Sequence, residues 1–200
     1  LTPNGMHPPH AMDVMRRYRK HVVVEKPLAL AWADLARMKA AADEAGVGIF
    51  PIYQNRYNKA VQKVRSDLVA GVLGKVALGT VRLRWCRPQR YYDLSEWRGT
   101  WAMDGGTLVT QGIHFIDLLQ YLLGDVESVR AHIATQLVNV EVEDTAVATL
   151  KFKSGALGAI EVTTAARPDI VYDAKLEEAS ISILAENGMF GFIFWQKRCF

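Results

Sequence analysis

Three segments of this chain carry residue types that could do chemistry. The first is Glu25-Lys26-Pro27, which follows the apolar run His21-Val22-Val23-Val24. Ligands of open α/β sheets bind outside the carboxyl ends of the strands, so a lysine there faces the crevice. Burial or a nearby cationic ring would lower its pKa and let it exchange a proton. The same lysine could instead be a surface residue closed off by its proline. The second segment runs from Gly105 to Asp117, where Thr110, His114 and Asp117 stand at i, i+4 and i+7 and share one helix face. A histidine among hydrogen-bonding side chains suits general acid/base work, with its tautomer fixed by a neighbour. The alternative is a partly buried structural histidine satisfied by Asp117. Gly105-Gly106 either lets the backbone approach a neighbour closely or simply opens the helix. The third segment, Arg90 to Trp101, interleaves arginine with aromatics. That mixture suits a sugar ring or a phosphate through stacking and bidentate hydrogen bonds, and equally an interdomain or oligomer contact.

Other chemistries find little support. There is no G-x-G-x-x-G and no phosphate-cradling G-x-x-x-x-G-K-[ST] run. His7-Pro8-Pro9-His10 lacks metal-ligand spacing and a third ligand, so no metal is expected. Ser95 and Ser154 have no partners arranged as a triad. Cys86 and Cys199 are far apart, which excludes a disulfide framework and a thiolate zinc site and fits a reducing compartment. The net charge of +3 comes from 24 basic and 21 acidic residues of both signs interspersed, which argues against a dedicated nucleic-acid binder. No apolar run approaches the ~20 residues that span a bilayer. Residues 1–9 lack the blocks of a signal peptide. A soluble, cytoplasmic protein without membrane or nucleic-acid partners is expected.

The elements that must position these residues fall into two groups. A helix over 10–20, a strand over 21–25, a helix over 31–45 closed by Gly46 and a strand over 47–52 make a βαβ unit with parallel strands. Beyond it come a helix over 57–70 and a long strand over 76–87. On that strand Val81, Leu83 and Trp85 alternate with Thr80, Arg82 and Arg84, giving one buried and one cationic face. Residues 88–104 read as an irregular loop and residues 106–123 as one helix ended by Gly124. Strands over 126–136, 144–153, 156–164 and 179–185 follow, with turns at Lys153-Ser154-Gly155 and Glu186-Asn187-Gly188. Successive strands with short turns mean a mostly antiparallel sheet, packed on one face by helices. The expected fold class is α/β followed by α+β. Residues 1–54 would be the C-terminal part of a Rossmann-type dinucleotide-binding domain. Residues 55–200 would be an open-faced, mostly antiparallel α+β domain for substrate binding and oligomerisation. The opening Leu1-Thr2-Pro3-Asn4-Gly5 and the aromatic tail 191–200 suggest truncation at both ends.

Thr2-Pro3-Asn4 with His7, Val22 to Pro27, Gln54-Asn55-Arg56-Tyr57 and Gly105-Gly106 … Gly112-Ile113-His114-Phe115-Ile116-Asp117 together resemble the Gfo/Idh/MocA oxidoreductases, from residue 1 to about 190. The run Trp97 to Gly106 with Gln111 to His114 is similar, more narrowly, to the UDP-N-acetylglucosaminuronate 3-dehydrogenases of surface-polysaccharide synthesis. The resemblance implies hydride transfer between a sugar-like carbinol and nicotinamide, with NAD or NADP as cofactor. It implies oxidation of a secondary hydroxyl, C3 of a UDP-linked N-acetylglucuronic acid type of sugar. It also implies a homo-oligomer, dimer or tetramer, through the open sheet. Alternatives are an inositol- or glucose-type dehydrogenase of the same family and a non-catalytic assembly module.

By that resemblance Lys26 orients or helps deprotonate the reacting hydroxyl, and His114 is the other acid/base group. Pro3, Asn4, His7, Glu25, Lys26 and Pro27 line the nicotinamide ribose side, with Asn55 near the ring. Arg56, Tyr92, Trp97, Arg98, Thr110, Gln111 and Asp117 face the substrate. One departure stands out: many relatives carry aspartate four residues before the histidine, where this chain has Thr110. A threonine cannot act as the base, so the work shifts to Lys26 and His114. The glycine turn that holds the pyrophosphate is expected upstream of residue 1.

Overall fold

The computed structural model describes residues 2–166 and 178–193. Cys199 and the last residues of the aromatic tail lie outside that range.

Pro8 and Pro9 sit in the first turn of α1 (His7–Tyr18), where a missing N–H costs nothing. Strand β1 (Val22–Val24) pairs in parallel with β2 (Ile49–Pro51), and α2 (Trp32–Ala45), ended by Gly46, crosses between them. Met15, Met38, Ala41, Val22 and Val24 form the small core beneath the two helices. This is the expected βαβ unit, and Lys26 leaves its carboxyl end.

The second unit is a six-stranded sheet. Strand β3 (Val76–Arg84) lies inside it, next to β6 (Leu157–Thr163) and β7 (Glu178–Ala185). The remaining strands are β4 (Val126–Ala134), β5 (Thr145–Phe152) and β8 (Gly188–Ile193), in the order β4-β5-β6-β3-β7-β8. Only β3 and β6 run parallel; the other pairs are antiparallel. Alternate residues of β3, β5, β6 and β7, among them Leu83, Phe152, Val162 and Ile181, meet Val61 and Val64 of α3 (Lys59–Val69) and Phe115, Leu118 and Leu119 of α5 (Ile113–Leu123). Period-2 strands facing period-3.6 helices thus build one core on one face of the sheet.

The opposite face is open, with Val147 half exposed and Leu157 more so. The cationic face expected of β3 is corrected here. Arg84 Nε donates to Glu161 Oε1 at 2.6 Å and Arg82 Nε lies 3.5 Å from Glu161 Oε2, so one carboxylate on the parallel neighbour offsets one of the two positive charges. The cross-strand partner could not be known from β3 alone.

Two further expectations are revised. The 88–104 loop contains a short helix, α4 (Gln89–Asp93). The helix expected over 106–123 is not uniform: Leu108–Gly112 forms a π turn before the α-helical register begins at Ile113. A π turn adds a residue per turn, so side chains on either side of it no longer keep i, i+4 spacing.

Candidate active site

Lys26 and the helix carrying His114 meet where the two units join. Lys26 Nζ donates to the Thr110 carbonyl at 2.6 Å. The lysine is half-buried, and desolvation lowers its pKa, opposed by the nearby charges of Glu25 and Asp104. His114 lies within electrostatic reach of Lys26. Desolvation, with that cation, pushes its pKa down to about 4, against the pull of Asp117. Its Nδ1 is buried and has no hydrogen-bond partner among the described residues. Among the described residues Asp117 is not a hydrogen-bond partner of that nitrogen. Asp117 instead receives Arg56, Nε to Oδ2 at 2.8 Å and Nη2 to Oδ1 at 2.5 Å. That guanidinium lies between the rings of Tyr53 and Tyr121, 5.4 and 4.9 Å from their centroids.

Residues 97–108 act as a strap between the two units. Asn4 Nδ2 donates to the Asp104 carbonyl at 2.9 Å, and Gly5 N to the Met103 carbonyl at 3.1 Å. A Cβ on Gly5 would stand 2.3 Å from the Ala102 carbonyl, so only glycine allows this approach. On the other side, Gly99 O accepts from Glu141 N and Val142 N, and Gly99 N donates to Asp104 Oδ2 at 2.8 Å. Asp104 is buried, and desolvation raises its pKa despite that bond and the nearby Arg98 and Lys26.

The expected site residues separate accordingly. Lys26, His114 and Thr110 come together, and Gln111 lies half-buried on the same π turn. His7 Nδ1 is 2.8 Å from the Pro27 carbonyl, bracing the turn that follows Lys26. Pro3 is half-buried and Glu25 exposed at the same end of the βαβ unit. Asn55 is half-buried in the 3-10 turn Gln54–Tyr57 beyond β2. Asn4, at the same end, has its amide nitrogen engaged with the strap. Tyr92 is buried, with its hydroxyl 3.2 Å from Thr164 Oγ1. Arg56 and Asp117 neutralise each other. Trp97 and Arg98 belong to a stack in which Arg98 covers the rings of Trp97 and Tyr91 at 4.8 and 4.3 Å. Arg87 covers those of Tyr91 and Trp85 at 5.1 and 5.6 Å.

Three buried acids among the described residues, Asp104, Glu143 and Asp144, escape the sequence reading of the site. Asp104 had a signal, since it directly precedes the paired glycines. Glu143 had almost none: it lies just before the strand expected over 144–153.

Two family models match this chain. Residues 61–190 match the GFO/IDH/MocA C-terminal domain, and residues 1–53 match the oxidoreductase family with an NAD-binding Rossmann fold. The chain is similar to the WlbA dehydrogenase of Bordetella pertussis, whose structure was solved in complex with NADH and UDP-GlcNAcA. That match has 44% identity and a TM-score of 0.88, covering 96% of this chain and 54% of that one. The WlbA dehydrogenase of Chromobacterium violaceum, in complex with the same two molecules, matches at 41% identity and TM-score 0.86, with coverages of 96% and 54%. Myo-inositol 2-dehydrogenase of Thermotoga maritima is 34% identical over 165 residues, 80% of this chain and 46% of that protein. The chain spans about half the length of the curated relatives it matches.

Proposed function

The chain belongs to the Gfo/Idh/MocA oxidoreductase family, and from that premise we propose that it carries the acid/base half of an NAD-dependent sugar dehydrogenase. The observation behind this reading is the meeting of a half-buried Lys26 with a His114 whose Nδ1 is buried and has no hydrogen-bond partner among the described residues. Burying two such groups side by side costs stability, which a purely structural role would not demand.

Oxidation of a carbinol removes a hydride from carbon and a proton from oxygen. NAD, when bound, supplies the hydride acceptor. Pro3, His7, Glu25 and Asn55 are the residues that would face its nicotinamide end. The fit rests on the half-buried lysine at the carboxyl end of β1, where an open α/β sheet binds ligands. Lys26 orients the reacting hydroxyl and stabilises the charge that grows on its oxygen. His114, neutral above about pH 4, supplies an imidazole that can take the proton.

For the substrate we propose a nucleotide-linked sugar acid oxidised at a secondary hydroxyl. The similarity to two dehydrogenases solved with NADH and UDP-GlcNAcA supports this. So does the Arg98 guanidinium among aromatic rings, which suits a carboxylate or phosphate. The relation to an inositol dehydrogenase favours a free polyol as the second reading. The open face of the sheet is proposed to pair with a second copy of the chain.

The test is NADH formation by the full-length protein containing these residues, with UDP-GlcNAcA against myo-inositol. Turnover of the first supports the narrower reading, and turnover of the second alone replaces it. Lys26→Ala or His114→Ala lowers kcat by about 100-fold or more with NADH affinity retained. Wild-type rates in both variants would remove the site assignment.

A further inference from the structure

The helix that carries His114 is held at its start by a residue far from it in sequence. Leu108 N donates to Glu143 Oε1 at 2.9 Å, and Thr107 N donates to the Glu143 carbonyl at 3.1 Å. The first N–H groups of a helix have no partners within it, and here one glutamate meets two of them, one with its side chain and one with its backbone. Gly106 makes this possible. Its φ is +90°, and a Cβ there would stand 1.9 Å from Glu143 Oε2. Immediately after this anchor the chain makes the π turn Leu108–Gly112. Thr110 lies at its middle, its N and Oγ1 both donating to the Gly106 carbonyl at 3.0 and 2.7 Å. The Thr110 carbonyl is the group that receives Lys26.

We propose that Glu143 is a positioning residue for the acid/base pair: it anchors the π turn so that the Thr110 carbonyl holds Lys26 Nζ beside His114. The chain of contacts is continuous. Glu143 fixes Thr107 and Leu108, Gly106 fixes Thr110 from its other side, and Thr110 O fixes the ammonium. A neutral carbonyl dipole thus occupies the place beside the lysine where a carboxylate would hold its proton more firmly. The charged and titratable groups facing Lys26 are Glu25 on its own segment, Asp104 on the strap and His114 on the helix. Glu143 is itself buried, and its pKa is raised by desolvation against the Leu108 N–H, so its role at neutral pH is that of a hydrogen-bond acceptor at the helix start.

The inference rests on the reading of Lys26 as a proton-handling group, and the experiment separates the two. The titration of Lys26 is followed by NMR of 13Cε-labelled lysine, assigned with Lys26→Arg, in wild type, Glu143→Ala and Glu143→Gln. It needs no turnover. In E143A the freed π turn releases the ammonium to water, and the Lys26 titration moves up toward the ordinary lysine value. In the full-length enzyme kcat falls about tenfold or more with KM nearly unchanged, as expected when a reacting group is misplaced rather than lost. E143Q keeps an acceptor oxygen for Leu108 N and restores both readouts to near wild type. Should E143A fail to fold, Glu143→Asp, one methylene shorter, decides in its place by the same two readouts. A folded E143A or E143D with wild-type Lys26 titration and wild-type kcat overturns the proposal. Wild-type turnover in K26A would remove the function of the lysine but leave the NMR result to judge the positioning.

Discussion

At the scale of single residues, desolvation decides the chemistry. His114 is protonated in the unfolded chain at pH values where the fold keeps it neutral, since its pKa is pushed from 6.5 down to about 4. The unfolded state therefore binds more protons across that window. Folding stability is complete above about pH 6.5 and declines as pH falls toward 4, with no further loss from this group below that. Urea denaturation at a series of pH values should show this slope in wild type and lose it in His114→Gln. A slope unchanged in H114Q would mean that other groups carry it. The same shift sets the acid side of the activity profile. kcat/KM should fall only as pH drops through about 4, while on the alkaline side loss of the Lys26 proton should begin below the ordinary lysine value of 10.5.

At the scale of elements, the π turn and the strap matter more than helix length or strand count. Gly106→Ala should cost about 2–5 kcal/mol, combining left-handed backbone strain with overlap against the Glu143 carboxylate. Gly155→Ala is the control: its φ is +88°, yet a Cβ there meets nothing within 4 Å, so only the strain remains. Equal destabilisation of the two variants in urea melts would show that the Glu143 contact contributes nothing. The strap explains why the aromatic-rich loop misleads when read for ligand contacts alone. Tyr92 is committed to Thr164, Asp104 to Gly99 and Asn4 to the strap backbone, leaving Trp97 and Arg98 as the members still suited to a ligand.

At the scale of the whole molecule, one face of the sheet is covered by helices and the other carries half-exposed apolar residues between ion pairs. Val147, 51% exposed on β5, lies on that open face, one strand in from the edge. If the face pairs with a second copy, Val147→Glu should shift the protein toward monomer in sedimentation equilibrium while leaving Lys26 titration and the fold intact. A wild-type chain that sediments as monomer at all concentrations would refute the pairing. No helix among the described residues is long and apolar enough to cross a membrane.

The sequence by itself determined what is local and periodic. The parallel βαβ unit, the half-buried β3, the strands between short turns and the Glu-Lys-Pro and Gly-x-His-x-x-Asp segments are all legible, because pleat, helix period and turn chemistry act over a few residues. Only the tertiary structure decided which acids the site uses. Glu143 and Gly106 are 37 positions apart, and Asn4 and Asp104 are 100 apart. Asp117 could not be separated from His114 until Arg56, 61 residues earlier, was seen to take it. Burial, which lowers the pKa of both Lys26 and His114, belongs to the packed molecule, since the energy of a charge depends on how much water the whole fold removes from around it.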